Sequence, residues 1–582
     1  MFRPHLFTKN KPMGVLKKYK LIILILAIIS LGIFLRTYHF SDWLHFEIDQ
    51  SFDTIIVSQA VEKSIGELPL LGPTAGGGRS LRLGPAFYYM EYVCAMVFGD
   101  NPTGHAMLVL IVSILALPLF FLFSRIYFSR KISLMLLFLF CVSLYNVLYS
   151  RFSWSPNVLP FFTLLLFYSM LRSVSDGEKR KSVWFLSSVA VATILTQIHF
   201  NSFFVIPPIV FLFFLIKRPH FKWKIWASAL AIIILLYSPV IAHEIKTKGQ
   251  NISYFSGKLE KRTTGSQGTF TENIFKDIQY NAFEYFLIIS GNDQINEKQP
   301  KGYSLGLDDY PQTLDLFLRI AGLLYFGLGI FLLIKNLLQK KSGDHKNFLI
   351  LTFLWFIFSF LYFYSIIRGY RIYPRFFLLV SPLAFVFLGL ILDLIKPQKN
   401  KKRFLVAVLI IIALASFNLY QINRSFRQLE NADIESVSVK TEDIFPDFFR
   451  VPLERQLAVV NYIESTYKKN GYPIYIQSIP EFETTFWYHL QKRGIEFYGN
   501  FQTDTIYKKA NYFLINKTPL REYRAQFFDV AEEKNFGILE VYYLTPKPEK
   551  INTDIQTEKK KMEQSELIEE NLTWKKAFWN NQ

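Results

Sequence analysis

The chain has 582 residues, of which 51% are hydrophobic and 17% aromatic, and its formal net charge at pH 7 is +19. Long runs of Leu, Ile and Phe exceed what a soluble domain needs to bury, so we expect a protein that crosses a membrane many times. The Lys and Arg residues cluster in short segments between these runs, as in cytoplasmic loops, which argues against binding of nucleic acid.

The first apolar run covers residues 20–35 and ends in polar and aromatic residues typical of a membrane interface. Six basic residues precede or begin it: Arg3, Lys9, Lys11, Lys17, Lys18 and Lys20. The positive-inside rule therefore predicts a cytoplasmic N-terminus. No small-residue cleavage site ends the run, so we interpret it as an anchor. Cys94 and Cys141 both lie in apolar runs, and we predict no disulfide.

Two carboxylates, Glu47 and Asp49, follow this run and are expected just outside the membrane. A carboxylate so close to lipid is costly unless it is solvated, paired or used. We interpret both as candidate catalytic residues, with Asp49 as the general base. The alternative is that Asp49 caps the amphipathic helix predicted over residues 51–65, a common role for Asp.

A Pro- and Gly-rich loop, residues 68–84, contains Arg79 and Arg82, and an apolar stretch too short to cross a membrane follows it at residues 85–98. If that stretch does not cross, the next spans are about 104–123, 132–149, 157–171, 183–198, 203–216, 225–242, 314–334, 347–366, 374–395 and 403–420. All five inward loops are then rich in Lys or Arg, as the charge rule requires. We therefore predict eleven spans.

Several arginines lie on the predicted outward side, where the same rule expects few cations. Arg151 lies in the connection 150–156, and Arg371 and Arg375 lie in the connection 367–375. Together with Arg79 and Arg82 they are candidates for binding an anion such as a phosphate. The alternative is that they extend to lipid headgroups at helix ends.

The apolar density falls after about residue 420, and strand-like and helical segments then alternate, which predicts a small α/β domain on the outer side. We divide the chain into a membrane region at 1–420 with outer loops at 37–103 and 243–313, an extracytoplasmic domain at 421–545, and a charged tail at 546–582. The tail is expected to be partly disordered or to form a surface helix. The domain has no phosphate-binding loop and no metal-ligand spacing.

An active site on the outer face has no nucleotide sugar to draw on, so a group transferred there is expected to arrive on a lipid carrier. A polyprenyl phosphate is a good leaving group, which removes the need for the second, acidic carboxylate of a glycosidase. One general base and a set of cations that stabilise the departing phosphate are then sufficient.

Four segments in chain order carry a family resemblance: Phe46–Ser51, Arg82–Tyr89, Tyr149–Asn157 and Pro374–Pro382. With the predicted topology they resemble the GT-C superfamily of membrane glycosyltransferases, in particular the branch of protein O-mannosyltransferases and lipid A aminoarabinose transferases. The resemblance implies that Asp49 is the base and that Arg82 binds the donor phosphate, with Arg151 and Arg375 as further candidates.

The resemblance also implies a polyprenyl-phosphate sugar donor, a glycan, lipid or protein acceptor, and a place in a bacterial cell membrane. Family members commonly carry Glu directly after the Asp, whereas Gln50 follows Asp49 here. We therefore predict no metal and no other cofactor. Asp308 and Asp309 are expected to be solvated acids in an outer loop, with contact to the acceptor or sugar as the alternative.

Two other classes fit parts of the pattern. A carrier or flippase for polyprenyl lipids would also need many spans and outward arginines, although the repeated halves common in transporters are not visible in the sequence. A non-catalytic anchor for the C-terminal domain would leave the Asp49 segment and the outward arginines unexplained.

Overall fold

The protein is described here from a computed structural model, which covers residues 15–73, 81–263, 269–291, 312–339, 342–367, 372–396, 400–431, 451–499, 505–516, 525–551 and 571–579. The helices of the first half are α1 (Val15–Thr37), α2 (Ile48–Glu62), α3 (Ala86–Phe98), α4 (Pro102–Ser124), α5 (Arg130–Val142), α6 (Leu144–Tyr149), α7 (Leu159–Val174), α8 (Lys181–Ile198), α9 (Phe200–Lys217), α10 (Trp223–Thr247), α11 (Gln250–Thr263) and α12 (Phe270–Ser290). Those of the second half are α13 (Gln312–Leu338), α14 (Gly343–Ile367), α15 (Ser381–Ile395), α16 (Lys401–Glu430), α17 (Leu453–Asn470), α18 (Glu483–Lys492) and α19 (Trp574–Phe578).

Among the described residues, nine helices are long and apolar enough to cross a membrane: α1, α4, α7, α8, α9, α10, α13, α14 and α16. The other two predicted spans are interrupted helices. The span predicted at 132–149 is divided at Ser143, whose hydroxyl caps α6 and donates to the Ile288 carbonyl at 2.8 Å. The span predicted at 374–395 begins with a 3₁₀ turn, Pro374–Leu379, before α15. The count of eleven spans stays a prediction.

The region predicted as an outer loop at 243–313 contains helices in its described part. α10 continues to Thr247, and α11 and α12 follow it. The second half of α12 is buried in the apolar core, with Tyr285, Ile288 and Ile289 almost inaccessible to solvent. Asp277 and Asn281 are buried on the same face, at i,i+4 spacing before Tyr285, and such polar residues give α12 the hydropathy of a loop although the helix is packed.

A five-stranded sheet forms the C-terminal domain. Its strands are β1 (Ile474–Gln477), β2 (Phe497–Gly499), β3 (Asn511–Asn516), β4 (Phe528–Phe536) and β5 (Leu539–Pro546), in the order β2-β1-β3-β5-β4. β1 is parallel to β2 and β3, whereas β5 is antiparallel to β3 and β4. Residues of α17 and α18 pack with this sheet in one apolar cluster. The predicted C-terminal α/β domain is therefore confirmed.

The domain lies against α2 at one end of the helix bundle, which we call the domain end. Ser51 Oγ and Thr484 Oγ1 are 2.6 Å apart, and Gln456 Nε2 donates to the Phe46 carbonyl at 2.9 Å. Lys492 of α18 contacts Glu62 at the last turn of α2. α2 is therefore held between the bundle and the domain.

Candidate active site

The start of α2 is fixed by Glu47. Its backbone N–H donates to Gln50 Oε1 at 3.1 Å as part of a capping box, and its buried carboxylate lies 3.4 Å from His45 Nδ1. The alternative in which Asp49 caps the helix is wrong, because Asp49 lies inside the first turn. Glu47 and Gln50 therefore set the helix start and leave Asp49 available for another role.

Asp49 is accessible to solvent and yet closely surrounded by protein, as expected of a residue that lines a recess. These surroundings raise the pKa of the Asp49 carboxyl above its ordinary value, and the positive charge of Arg375 opposes this shift. A carboxylate whose pKa moves toward neutral is a stronger base than an ordinary aspartate. Its position in the first turn also places it at the positive end of the α2 dipole.

Aromatic rings surround the guanidinium of Arg375. It lies 4.6 Å from the ring centre of Tyr373, 4.8 Å from that of Trp154 and 5.6 Å from that of Phe376. Cation–π contacts of this kind orient a guanidinium without occupying its N–H groups. Within the described part of the chain it meets no hydrogen-bond acceptor, so its donors remain available to a ligand.

Two buried side chains fix the backbone that carries Arg375. Tyr145 Oη donates to the Pro374 carbonyl at 2.6 Å, and Asn201 Nδ2 donates to the Phe376 carbonyl at 2.8 Å. Asn201 lies in the first turn of α9, which His199 caps, and the His199 ring lies 5.6 Å from the Phe376 ring. Burial, helped by Arg375, lowers the pKa of His199 to about 4, which leaves its imidazole neutral at pH 7.

A second carboxylate, Asp53, lies one helical turn after Asp49 and was missed in the sequence. It is buried and accepts a hydrogen bond from Tyr88 Oη at 2.7 Å. Burial and the nearby charges of Glu91 and Asp49 raise the pKa of Asp53 well above its ordinary value, while the Tyr88 bond and Arg82 oppose them. The i,i+4 spacing of the two Asp residues was the available sequence signal, since such residues share one helix face.

Arg82 lies close enough to Asp53 to affect the pKa of its carboxyl. Its backbone is held by Asn251 of α11, which accepts from the Arg82 N–H and donates to the Arg82 carbonyl, both at 3.0 Å. Its Nη1 donates to Asn571 near the C-terminus. Of the other candidates, Arg79, Arg371, Asp308 and Asp309 lie outside the described residues.

Arg151 has a different position. Its two terminal nitrogens donate to the backbone carbonyls of residues 35, 36, 38 and 39 at 2.7–3.3 Å, and its side chain is buried over the Phe426 ring. These carbonyls lie at the end of α1. A cation stabilises a helix end because it donates hydrogen bonds to the last carbonyls and because its positive charge interacts with the helix dipole. The guanidinium of Arg151 is thus committed to α1, and the segment contributes Trp154 to the site instead.

A buried polar chain leads from the site to the C-terminal domain. Glu91 accepts from Ser153 Oγ at 2.7 Å and lies 3.4 Å from His105 Nδ1, whose Nε2 is 2.9 Å from Asp100. Asp100 also contacts Lys492. Burial alone would raise the pKa of Asp100, but these hydrogen bonds outweigh it and hold that pKa far below its usual range.

In the part of the chain that the structure describes, no group of three or more His, Cys, Asp or Glu residues is arranged to hold a metal ion.

Comparison with known proteins bears on the membrane region and on the whole fold. The family described as "Dolichyl-phosphate-mannose-protein mannosyltransferase" matches residues 83–243. No curated protein matches the chain.

The fold is similar to that of apo ArnT from Cupriavidus metallidurans, with a TM-score of 0.53 and 10% identity over 90% of this chain and 98% of that chain. The same protein bound to undecaprenyl phosphate gives a TM-score of 0.48 and 11% identity, over 90% and 97% of the two chains. AglB from Archaeoglobus fulgidus, in complex with an inhibitory peptide and a dolichol-phosphate, gives 0.46 and 10%, over 82% and 64%. The predicted resemblance to the GT-C superfamily is confirmed, as a fold and as a family match over residues 83–243.

Proposed function

We propose that this integral membrane protein transfers a sugar from a polyprenyl-phosphate-linked donor to an acceptor hydroxyl, with Asp49 as the general base. The observation that carries the proposal is the juxtaposition of Asp49 and Arg375. A solvent-accessible carboxylate and a guanidinium with available donors interact electrostatically at the domain end of the bundle. Acceptor activation and phosphate stabilisation need these two kinds of group next to each other.

The proposed reaction forms one bond and breaks one. Asp49 accepts the proton of the acceptor hydroxyl while the oxygen of that hydroxyl attacks the anomeric carbon of the donor sugar. The bond between that carbon and the phosphate oxygen breaks, and the electron pair leaves with the polyprenyl phosphate. Negative charge therefore passes from Asp49 to the leaving phosphate, where a cation is required.

Arg375 is our first choice for that cation, because rings orient it and its N–H donors are available. A planar guanidinium can hold two phosphate oxygens at once. Arg82 is the second choice, since its charge acts on Asp53, which shares a face of α2 with Asp49. Arg79 and Arg371 remain candidates from the sequence alone.

Three acids compete for the role of base, and their surroundings favour Asp49. Glu47 is buried and closes the helix start. Asp53 is buried and bonded to Tyr88, and burial raises its pKa well above the ordinary value. Only Asp49 of the three is accessible to a substrate.

The family description supports the donor class, because dolichyl-phosphate-mannose is a sugar on a polyprenyl phosphate. We also propose that the domain end faces outward in a bacterial cell membrane, from the basic N-terminus and the five basic loops at the opposite ends of the helices. A glycan, a lipid or a protein would supply the acceptor hydroxyl.

The proposal is tested with the purified protein in lipid nanodiscs. Sugar transfer is measured from undecaprenyl-phosphate-linked mannose and aminoarabinose to hydroxyl acceptors, in parallel with binding of undecaprenyl phosphate. Asp49→Asn keeps the shape and removes the basicity, so we expect transfer to fall about 10²–10⁴-fold while lipid binding stays near the parental value. The matched control is Asp42→Asn, an exposed acid of the same segment that pairs with His39.

Two results would contradict the proposal. Transfer by Asp49→Asn at the parental rate would exclude Asp49 as the base. Movement of undecaprenyl phosphate across the bilayer without transfer to any acceptor would favour the carrier that the sequence left open.

A further inference from the structure

The C-terminal end of the chain returns to the candidate site. Residues 571–579, which we call the C-terminal strap, lie along the first loop of the domain end. The Leu70 N–H donates to the Leu572 carbonyl at 2.9 Å, and the Trp574 N–H donates to the Leu68 carbonyl at 3.3 Å. Pro69 and Thr573 form a β-bridge between them. The strap, which belongs to the predicted charged tail, is therefore held in place by backbone pairing.

Side chains also fix the strap. Trp574 Nε1 donates to Tyr89 Oη at 2.7 Å, and Lys575 Nζ lies 3.0 Å from Glu67. Tyr89 directly follows Tyr88, the residue that donates to Asp53. The strap thus contacts the same turn of α3 that supports the carboxylate pair.

The strap reaches the site itself through Asn571. This residue is buried, with 8% of its surface exposed, and its Oδ1 accepts from Arg82 Nη1. Asn251 holds the backbone of Arg82 through two hydrogen bonds. Two asparagines, one from α11 and one from the strap, therefore fix the backbone and the side chain of a single arginine.

We propose that Asn571 is a positioning residue that holds the Arg82 guanidinium toward the donor phosphate without neutralising its charge. This inference depends on the role of Arg82 in the proposed function. An amide oxygen is a neutral acceptor, so it restricts the rotamers of Arg82 and leaves its positive charge available to an anion. A carboxylate in the same place would restrict the side chain equally but would compete with the phosphate for that charge.

The size of the effect follows from the freedom that Arg82 regains. Immobilising a long side chain during binding weakens affinity by about three- to tenfold, and Asn571 removes part of this cost in advance. Asn571→Ala should therefore weaken binding of undecaprenyl phosphate about three- to tenfold. Asn571→Asp should weaken it at least as much, because the carboxylate pairs with the guanidinium.

The test is a double-mutant cycle in the full-length protein in nanodiscs, with undecaprenyl phosphate as the probe and the neutral lipid undecaprenol as the reference. Dissociation constants and thermal unfolding are measured for Asn571→Ala, Asn571→Asp and Arg82→Ala, and for the double variant Asn571→Ala/Arg82→Ala. Lys576→Ala is the matched control, because it changes an exposed residue of the strap that does not contact Arg82. We expect the Asn571 effect to be confined to the phosphate lipid and to disappear in the Arg82→Ala background.

The Asn571→Ala variant and the neutral reference lipid separate positioning from a purely structural role. Loss of a residue that only fastens the strap would lower the unfolding temperature and would weaken binding of undecaprenyl phosphate and of undecaprenol alike. Our inference instead predicts weaker phosphate binding without a fall in the unfolding temperature. Because Asp matches Asn in shape, Asn571→Asp keeps the inference testable if Asn571→Ala does not fold.

The failure of this inference can be told apart from the failure of the proposed function. If Arg82→Ala weakens phosphate binding but both Asn571 variants bind like the parent, the positioning role is overturned and the phosphate-binding role of Arg82 stands. If Arg82→Ala itself binds undecaprenyl phosphate like the parent, Arg82 is removed from the donor site and the positioning role is overturned with it.

Discussion

Replacing Arg375 tests two contributions that one guanidinium makes to the site. Three aromatic rings orient this side chain, and its charge lowers the pKa of Asp49. Arg375→Ala removes both the phosphate donor and the charge beside the base. Arg375→Lys keeps the charge but loses the planar fork, so the two variants separate the two contributions.

The effect on donor binding can be sized from the bonds that are lost. Two parallel N–H···O bonds to a phosphate contribute about 1.5–3 kcal/mol each. Arg375 is half-buried, so solvent screens part of this interaction and a total loss of about 3 kcal/mol is expected for Arg375→Ala. This corresponds to roughly 100-fold weaker binding of undecaprenyl phosphate, and the loss of one bond in Arg375→Lys to about tenfold.

The effect on the base has a definite sign. Asp49 must be ionised to accept a proton, so transfer falls as the pH drops through its pKa. Protein surroundings raise that pKa and Arg375 opposes them. Removing the cation therefore raises the pKa further, and the acid limb of the transfer rate moves to higher pH in Arg375→Ala. The limb stays close to the parental position in Arg375→Lys, which keeps the charge.

The assay combines binding of undecaprenyl phosphate with a pH profile of transfer under saturating donor. Arg427→Ala is the control, since it removes an exposed arginine from α16 at the same end of the bundle. The reasoning is refuted if Arg375→Ala binds the phosphate lipid as well as the control does. It is also refuted if the acid limb of Arg375→Ala stays in place or moves to lower pH.

Three further predictions concern other residues. Asp53→Asn should keep transfer near the parental rate, because Asp53 is buried away from a substrate and Asn still accepts the hydrogen bond of Tyr88; a loss as large as that of Asp49→Asn would show that the base is misassigned. Arg151→Ala should lower the free energy of unfolding by about 3 kcal/mol or more, because several buried carbonyls at the end of α1 lose their donor. The affinity of the folded protein for undecaprenyl phosphate should not change, and a selective loss of that affinity would return Arg151 to the phosphate site. In a variant without the two native cysteines, a membrane-impermeant thiol reagent should label cysteine at the exposed position Glu533 but not at Asp176; the opposite pattern would place the site in the cytoplasm.

The helices that contact lipid were predictable because a single physical quantity, hydropathy, defines them. The predicted span at 183–198, for example, became α8 at Lys181–Ile198. Charge counting then kept residues 85–98 from being assigned as a span, and they form the short helix α3. The prediction was poorer where helices are interrupted or buried by protein. Ser143 divides a span because its hydroxyl oxygen accepts from the Asn146 N–H in place of a backbone carbonyl, and apolar counting does not detect this.

The C-terminal domain was predicted in part for a similar reason. β1, β3 and β5 have apolar sequences that favour buried strands, so strand-like segments could be recognised in this part of the chain. β4 contains Glu532, Glu533 and Lys534 and lies at the edge of the sheet, where its side chains are exposed. Its pairing with β5 stabilises it despite its composition. Edge strands are often charged, so their composition resembles that of a loop.

The residues of the site also divide into those that the sequence predicted and those that only the structure revealed. Asp49 and Arg375 were found because a charge at a membrane boundary is costly and needs a reason. Asp53, His199 and Asn571 carry no such signal. Their roles depend on which side chains meet them after folding: Tyr88 for Asp53, Asn201 for His199 and Arg82 for Asn571. The contacts of Asp53 and Asn571 join residues 35 and 489 positions apart, and no local pattern predicts them.

The surroundings of α2 explain why a soluble domain and a C-terminal strap both lie at this end of the protein. An amphipathic surface helix normally exposes one whole face. In α2, nine residues from Gln50 to Ala60 are buried, and Ile48, Asp49 and Glu62 at its two ends are the exposed ones. The bundle, the C-terminal domain and α3 together cover its sides. A substrate can therefore approach α2 chiefly along its axis, and Asp49 is the acid it meets at the end that Arg375 faces.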